Sequence, residues 1–272
     1  MQNEDHEVTC SAMPAPSAIA HLIRGYDWYR NMQGMSGGHV YRLTDPRGGT
    51  SFYLKHGRGS IADDLAAEVE RLVWLKPRIA VPTVLGFHRD DEQAWLLLSA
   101  IPGRTAYQAL KAAPGRCEAI VQAVALFLKR LHDLPIADCP FDSGQGRRLE
   151  QARSRMDAGL VDITEFDDER HGWHARRVWM EMTGLLPLRS DDVVTHGDFT
   201  LENLLVDNHG AVAGCIDAGR AGVADRYQDL AILGRSLDEF GVGAQRRLFT
   251  SYGIAEPDET KQRFYLMLDE FF

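Results

Sequence analysis

The chain has 272 residues, of which 44% are hydrophobic and 25% are charged, and its formal net charge is −9. This composition is typical of a folded globular protein with one large domain or two lobes. The acidic balance argues against a nucleic-acid-binding face, which is usually basic, and the sequence lacks the run of about 18 apolar residues that would predict a membrane span. The acidity either aids solubility or attracts a cationic partner.

The N-terminal segment MQNEDHEVTC carries acids and lacks the apolar core of a signal peptide. The first ~15 residues are rich in polar, Pro and Ala residues, which predicts disorder there. The four cysteines have spacings that fit neither a zinc site nor a disulfide framework. They predict free thiols in a reducing cytoplasm.

Short β-prone runs dominate the first 100 residues. Residues 38–43 and 50–56 flank the turn sequence DPRGG and predict one hairpin. Residues 83–88 and 94–100 flank RDDEQ and predict a second hairpin. Between the two hairpins, residues 61–75 place apolar side chains at helical spacing, which predicts a helix.

After a predicted hinge at residues 101–104, the sequence becomes mainly helical. One short hairpin is predicted from residues 204–206 and 212–216 around the turn DNHG. Helices are predicted at 117–133, 142–155, 173–185, 225–252 and 257–270. The order of elements predicts an α+β fold with two lobes, a small β-rich lobe in residues 1–100 and a larger, mostly helical lobe in residues 101–272.

The stretch VVTHGDFTLENLLVDNHGAVAGCIDAGR, residues 193–220, places polar groups in apolar surroundings. Asp198 and Asn203 flank a short loop and Asp217 follows the second strand, so the three side chains can converge at one end of the predicted hairpin. Phosphoryl transfer needs a carboxylate that orients the attacking hydroxyl and hard oxygen ligands for a metal ion. Protein kinases supply them as H-R-D-x-x-x-x-N followed by D-F-G. Here the pattern is H-G-D-x-x-x-x-N followed by D-A-G, which indicates phosphoryl transfer.

Phosphoryl transfer of this kind also uses a strand lysine paired with a glutamate on the next helix. Lys55 lies in the predicted strand and Glu68 in the helix that follows. Glu70 is a competing choice, but it lies about 200° around the helix from Glu68, so only one of them can face inward. The sequence SGG at 36–38 could form a loop over the phosphates, although a plain hairpin turn would also explain it. The kinase order of these elements favours a shared function over coincidence.

Several stretches resemble the aminoglycoside 3′-phosphotransferase family, the antibiotic kinases that confer kanamycin and neomycin resistance. The resemblance runs from about Met35 to Phe272, and its most telling pieces are VVTHGDFTLENLLV, IDAGRAGVADRYQDLA, RMDAGLVD, CPFD and FYLMLDEFF. It implies a bilobal, protein-kinase-like fold with a nucleotide-binding lobe in residues 1–100 and a catalytic and aminoglycoside-binding lobe in residues 101–272. It also implies ATP and Mg²⁺ as cofactors and transfer of the γ-phosphoryl group to the 3′-hydroxyl of an aminoglycoside.

Matched position by position, the resemblance implies a role for each residue of the pattern. Asp198 matches the catalytic base, and Asn203 and Asp217 match the magnesium ligands. Lys55 matches the lysine on the α- and β-phosphates, with Glu68 as its partner. Ser36 matches a residue of the nucleotide loop, and Tyr53 matches an aromatic that stacks on adenine. The hinge residues whose backbone reads the adenine edge are matched by Ser99, Ala100 and Ile101.

The substrate side follows from charge, because aminoglycosides are polycations and attract carboxylates. Residues 162–169 hold five acids, which could be a plain solvated loop. The resemblance places this loop against the antibiotic, with Asp167 the leading candidate. It implies further substrate-side positions at Arg220, Glu239, Glu270 and the α-carboxylate of Phe272. The expected partner is therefore a small-molecule aminoglycoside, with no nucleic-acid or membrane partner.

The sequence departs from the family pattern at two positions near the site. Ala218 stands where family members often carry Leu or Cys. Glu202 lies in the variable loop between Asp198 and Asn203, and the sequence leaves open whether it points inward.

Three other functions compete with this interpretation. The same fold could phosphorylate another small hydroxylated substrate, such as choline, homoserine, methylthioribose or a macrolide, but the acidic loop and the terminal motif argue against these. A non-catalytic nucleotide-binding module would have lost a catalytic element, whereas Lys55, Asp198, Asn203 and Asp217 are all present. A hydrolase would need a nucleophile in a recognisable elbow, which the sequence lacks.

Overall fold

A computed structural model describes residues 7–32 and 38–272 of the chain. Its β-sheet and helical parts give a mixed α+β architecture, which confirms the predicted fold class. The chain divides into two compact units, Met1–Ala109 with Leu204–Gly219, and Leu110–Asn203 with Arg220–Phe272. The functions assigned to residues 1–100 and 101–272 stay a prediction.

The first unit is built on a six-stranded antiparallel sheet with the strand order β1–β2–β3–β4–β6–β5. Its strands are β1 (Glu7–Cys10), β2 (Asp27–Asn31), β3 (His39–Thr44), β4 (Phe52–Arg58), β5 (Val84–Arg89) and β6 (Gln93–Ser99). Within the described residues of this unit, two helices accompany the sheet, α1 (Ser17–Ala20) and α2 (Ser60–Leu75). The sheet therefore contains both predicted hairpins, and α2 agrees with the predicted helix at 61–75.

The two faces of this sheet have different roles because successive side chains on a strand point to opposite sides. Leu54 of β4 belongs to a buried core with Ile19 and Trp28. The next residue, Lys55, points to the other face, where α2 packs against β4 and β6. The alternation along β4 thus places one lysine on the helix-covered face.

A three-stranded sheet completes the first unit, with the order β10–β9–β7. Its strands are β7 (Arg104–Thr105), β9 (Leu204–Val206) and β10 (Val212–Cys215). Gly103, before β7, has a φ of +133°, and a Cβ there would lie 2.4 Å from the carbonyl oxygen of Val206. Only glycine allows this close approach, which explains its place in the predicted hinge.

The second unit is mostly helical, with one two-stranded antiparallel sheet of β8 (Asp192–Thr195) and β11 (Gly222–Asp225). Helix α3 (Ala106–Ala112) crosses the boundary between the two units at Ala109. The helices wholly within the second unit are α4 (Cys117–His132), α5 (Gln145–Asp157), α6 (Ala175–Thr183), α7 (Tyr227–Ser236), α8 (Val242–Tyr252) and α9 (Glu259–Asp269). Helix α4 packs on α8, and α9 packs on α5, α6 and α7. Among the helices of the described residues, none is long and apolar enough to cross a membrane.

Two predictions about the elements were wrong. The predicted helix at 225–252 is two helices, α7 and α8, separated by a 3₁₀ turn and by Gly241 with a φ of +87°, a conformation that interrupts a helix. Disorder of the first ~15 residues is contradicted from Glu7 onward, because β1 pairs with β2 and the Arg42 Nε donates to Glu7 Oε2 at 2.7 Å.

Candidate active site

The predicted site residues fall into both units. In the first unit, the Lys55 Nζ lies 2.7 Å from Glu68 Oε1 and 2.8 Å from Glu68 Oε2. The same ammonium also contacts Oδ1 of Asp217. Glu68 is buried, whereas Glu70 is exposed. The predicted Lys55–Glu68 pair is therefore present, and Glu68 is the inward-facing acid.

The charges of this group leave a net negative site. Burial alone would lower the pKa of Lys55, but the carboxylates of Asp217 and Glu68 raise it above its usual value. Lys55 therefore stays an ammonium at physiological pH. One ammonium between two carboxylates leaves one negative charge, which suits a divalent cation.

Asp217 has an unusual backbone conformation directly after β10. Its φ is 59°, in the left-handed region that costs energy for a residue other than glycine. Its side chain is 44% exposed, so the carboxylate is reachable from solvent while it contacts Lys55. A strained backbone at a residue with an ionisable side chain is typical of a functional site.

The predicted adenine-side residues lie on and beyond β4 and β6. Burial raises the pKa of the Tyr53 hydroxyl on β4. The Ser99 N–H donates to the Thr83 carbonyl at 2.9 Å, and the Ser99 Oγ accepts the Thr83 N–H at 2.9 Å. These two bonds use the Ser99 amide and hydroxyl to hold the end of β6. Ile101 is buried, and Ser36 lies outside the described residues.

In the second unit, β8 leads directly into the HGD sequence. His196 is 1% exposed, and its Nδ1 accepts the Asp198 N–H at 3.3 Å. Gly197 has a φ of +87°, and a Cβ there would lie 2.5 Å from the carbonyl oxygen of Arg220. A glycine is therefore required between them, and the turn that it allows presents Asp198 at the end of the strand.

Asn203 lies beside Asp198, as the D-x-x-x-x-N spacing predicts. Its Nδ2 donates to the Asp198 carbonyl at 2.9 Å and to the Asp198 Oδ2 at 3.1 Å. Both bonds use the amide nitrogen rather than the amide oxygen. Amide and carboxylate oxygens are hard donors of the kind that Mg²⁺ prefers, so the chemistry of Asn203 and Asp217 fits this ion.

A buried aspartate that the sequence analysis did not single out fixes the HGD backbone. Asp229 on α7 accepts the His196 N–H at 2.7 Å on Oδ2 and the Gly197 N–H at 2.8 Å on Oδ1. His132 joins the network, with its Nε2 3.0 Å from Asp229 Oδ2 and its Nδ1 2.7 Å from the Tyr252 hydroxyl. The stretch ADRYQDLA contains Asp229, but only the fold shows what its carboxylate binds.

The acidic loop is anchored by Arg170, which no sequence pattern predicts. Its Nη2 donates to Asp167 Oδ2 at 2.6 Å, and its Nε contacts Glu270 Oε1. The Asp167 N–H donates to the same Glu270 oxygen at 3.1 Å, and the Arg235 Nε lies 3.1 Å from Asp167 Oδ1. Arg170 and Glu270 are 5% and 7% exposed at their side chains. The other acids of the loop are exposed, namely Asp162, Glu165, Asp168 and Glu169.

The remaining predicted substrate residues also have cationic or anionic neighbours in the second unit. Lys111 Nζ contacts Glu239 Oε2. The Arg220 Nη2 donates to the main-chain oxygen of Phe272 at 3.1 Å, and its Nη1 lies 3.9 Å from Asp269 Oδ1. Burial and the nearby Asp198 raise the pKa of Asp269 to about 6. Asp269, which was not predicted as a site residue, therefore lies beside Arg220 and within the electrostatic influence of Asp198.

Residues 33–265 match the model of a family described as the phosphotransferase enzyme family. The chain is 50% identical to an aminoglycoside 3′-phosphotransferase of Escherichia coli, over all of both chains.

Solved structures give the same relationship. The crystal structure of an aminoglycoside 3′-phosphotransferase of type VIII is 35% identical, with a TM-score of 0.84 over 94% of this chain and 98% of that one. An aminoglycoside phosphotransferase from Streptomyces rimosus, in complex with ADP and streptomycin, is 28% identical, with a TM-score of 0.78 over 94% of this chain and 96% of that one. The chain therefore belongs to the phosphotransferase enzyme family and, within it, to the aminoglycoside 3′-phosphotransferases.

Proposed function

We propose that the protein transfers the γ-phosphoryl group of ATP to the 3′-hydroxyl of aminoglycosides such as kanamycin and neomycin, and so gives resistance to them. The observation that carries the proposal is the Asp198–Asn203 pair on a loop whose backbone is held by Asp229. A carboxylate fixed in this way is suited to orient an alcohol and to accept its proton. The relationship to proteins named aminoglycoside 3′-phosphotransferases supports the choice of acceptor.

In this proposal, Asp198 is the base. Its Oδ2 is held by the Asn203 amide at 3.1 Å, so Oδ1 is the oxygen assigned to the 3′-hydroxyl proton. As the proton moves to Asp198, the hydroxyl oxygen attacks the γ-phosphorus and the bond to the bridging oxygen of ADP breaks. The rigid backbone of the HGD loop keeps the base in place for that attack.

The nucleotide is assigned to the residues of the first unit. Lys55 would contact the α- and β-phosphates, and Tyr53 and the backbone of Ser99 and Ile101 would face adenine. Asn203 and Asp217 would hold Mg²⁺, which neutralises phosphate charge when it is bound. The ADP in the Streptomyces rimosus complex supports an adenine nucleotide.

A polycationic acceptor fits the second unit, where acids line the loop at 162–169 and the end of α9. Asp167, Glu239, Glu270 and the Phe272 main-chain oxygen are assigned to its amino groups, and Arg220 is assigned to the same face. The streptomycin bound to the Streptomyces rimosus protein is a cation of the same class. Attraction between ammonium and carboxylate groups is strongest where water is partly excluded.

The proposal is tested by ADP release from Mg-ATP with kanamycin, beside a matched aminoglycoside that lacks the 3′-hydroxyl. Release with kanamycin alone is the expected result, and phosphorus NMR of the product should show a 3′-phosphate. Equal release with both compounds would show that a hydroxyl other than the 3′-hydroxyl is phosphorylated. If ADP were released with neither compound but with another small alcohol, the result would support the alternative function, a kinase for another small hydroxylated substrate.

Glu68→Gln is expected to raise KM for ATP about tenfold, because a hydrogen bond to a charged group contributes roughly 1.5–3 kcal/mol and Lys55 would lose one. KM for kanamycin should stay within about twofold, since the Lys55 group is assigned to the nucleotide alone. Initial rates with each substrate varied separately measure both constants. Glu70→Gln removes the same charge from an exposed site on the same helix and should match the wild type. Equal effects of the two variants on KM for ATP would contradict a specific role of the Lys55–Glu68 pair in nucleotide binding.

Arg170→Met is expected to lower the free energy of unfolding by about 3–5 kcal/mol, because it leaves the buried Glu270 carboxylate unpaired. It should also raise KM for kanamycin, since Arg170 ties Asp167 to Glu270. Urea unfolding and initial rates measure the two effects, with exposed Arg176→Met as the control.

The double variant Arg170→Met, Glu270→Met removes both buried charges and should regain most of the stability. It should not regain the low KM for kanamycin. If it did, the pair would serve folding alone.

A further inference from the structure

Among the described residues, Arg148 on α5 is a buried cation with no counter-ion in direct contact. The residue is 5% exposed. Within the part of the chain that the structure describes, its Nε has no hydrogen-bond partner, and no carboxylate lies within ion-pair distance of its guanidinium. Burying an unpaired charge is costly. Burial and the nearby Arg220 accordingly lower the pKa of Arg148 to about 9.

The contact that offsets this cost is the aromatic ring of Phe272. The guanidinium carbon of Arg148 lies over the ring, 3.6 Å from its centroid. This is a close cation–π contact, and such contacts are strongest when water is excluded. Two further arginines surround the same ring, with Arg220 at 5.5 Å and Arg155 at 5.9 Å. The guanidinium groups of three arginines therefore lie close to the ring of Phe272.

The same arginines hold the main chain beside the ring. The Arg220 Nη2 donates to the Phe272 main-chain oxygen at 3.1 Å, and the Arg155 Nε donates to the Phe271 carbonyl at 2.5 Å. Arg148 makes no such bond, so its contact with this segment is the ring face alone. Its environment includes the carboxylates of Asp198 and Asp269, which are close enough to oppose the fall of its pKa.

We propose that Arg148 is a positioning residue for the aminoglycoside acceptor, which acts by holding the ring of Phe272 so that the last turn of the chain keeps its orientation on the acceptor face. The proposal rests on the assignment of Phe272 to the acceptor under the proposed function. In this proposal Arg148 acts through the ring of Phe272 and is not itself assigned to the acceptor or the nucleotide. A planar guanidinium is required because an ammonium group cannot stack on a ring in the same way.

A double-mutant cycle tests this role. Arg148→Met and Phe272→Ala should each raise KM for kanamycin about tenfold, with kcat and KM for ATP within about twofold of the wild type. Because both substitutions break one contact, the double variant should be no worse than the more affected single variant. Arg147→Met, an exposed neighbour on the same helix, should behave as the wild type.

Three results would overturn the proposal. They are an unchanged KM for kanamycin in Arg148→Met, a double variant whose effect equals the product of the two single effects, and a fall in kcat at unchanged KM. The last result would mean that Arg148 acts on the phosphoryl group or on Asp198 directly. Should Arg148→Met fail to fold by circular dichroism, Arg148→Lys keeps the charge but loses the planar guanidinium, so it should still raise KM for kanamycin, and an unchanged KM in Arg148→Lys would overturn the proposal. Absence of ADP release by the wild-type protein with kanamycin would instead contradict the proposed function.

Discussion

Asp198→Asn is expected to lower kcat for kanamycin phosphorylation by about 10³-fold, since a positioned base contributes 10²–10⁴-fold. The amide keeps the shape of the side chain but cannot accept the hydroxyl proton. KM for ATP should change little, because the Lys55 group that is assigned to the phosphates is untouched. Single-turnover measurement with excess enzyme separates the chemical step from product release.

Glu202→Gln is the matched control for Asp198→Asn. Glu202 is in the same loop and is exposed, which answers the question of its orientation that the sequence leaves open. Its loss should leave kcat within about twofold of the wild type, as is usual for exposed charges. Near-wild-type turnover by Asp198→Asn, or an equal loss in both variants, would refute the assignment of Asp198 as the base.

Asp229→Asn is expected to lower kcat about 10²-fold and the free energy of unfolding by about 3 kcal/mol. The carboxylate accepts the N–H groups of both His196 and Gly197. An asparagine has one acceptor oxygen, so one of these buried donors would face an amide N–H₂ group. The HGD backbone should then move, and Asp198 with it.

Hydrogen exchange at the His196 and Gly197 amides measures the clamp directly and should become faster in Asp229→Asn. Asp133→Asn, an exposed acid just after α4, serves as the control. Unchanged exchange in Asp229→Asn would contradict the clamp, and unchanged kcat with faster exchange would show that a rigid loop is not needed for turnover.

Local patterns predicted the parts of the fold in which neighbours in sequence decide the structure. Helix α2 followed from its apolar spacing, and the Lys55–Glu68 pair followed from the order strand, lysine, helix, glutamate. Strand β1 could not be predicted in this way. Its polar residues do not favour a strand by themselves, and it is ordered by pairing with β2.

The candidate site shows the same limit at the level of single residues. The D-x-x-x-x-N spacing predicted that Asp198 and Asn203 lie together, since only four residues of chain separate them. Asp229 and Arg170 act across 33 and 100 positions of sequence, on His196 and Glu270 respectively. No local sequence pattern predicts contacts between residues so far apart. From sequence alone, a buried aspartate cannot be distinguished from any other acidic residue on a helix.

Under the proposed function, the ion pairs of the assigned acceptor residues would make aminoglycoside binding an exchange of counter-ions. Glu239 already has an ammonium partner in Lys111, and both side chains are about half exposed, at 40% and 52%. Such a pair is worth about 1 kcal/mol or less, so an incoming ammonium can displace Lys111 at small cost. Glu270, buried with Arg170, cannot exchange its partner so cheaply. The number of acids on this face therefore overstates the charge available to an aminoglycoside, and affinity should depend on how loosely each resident cation is held.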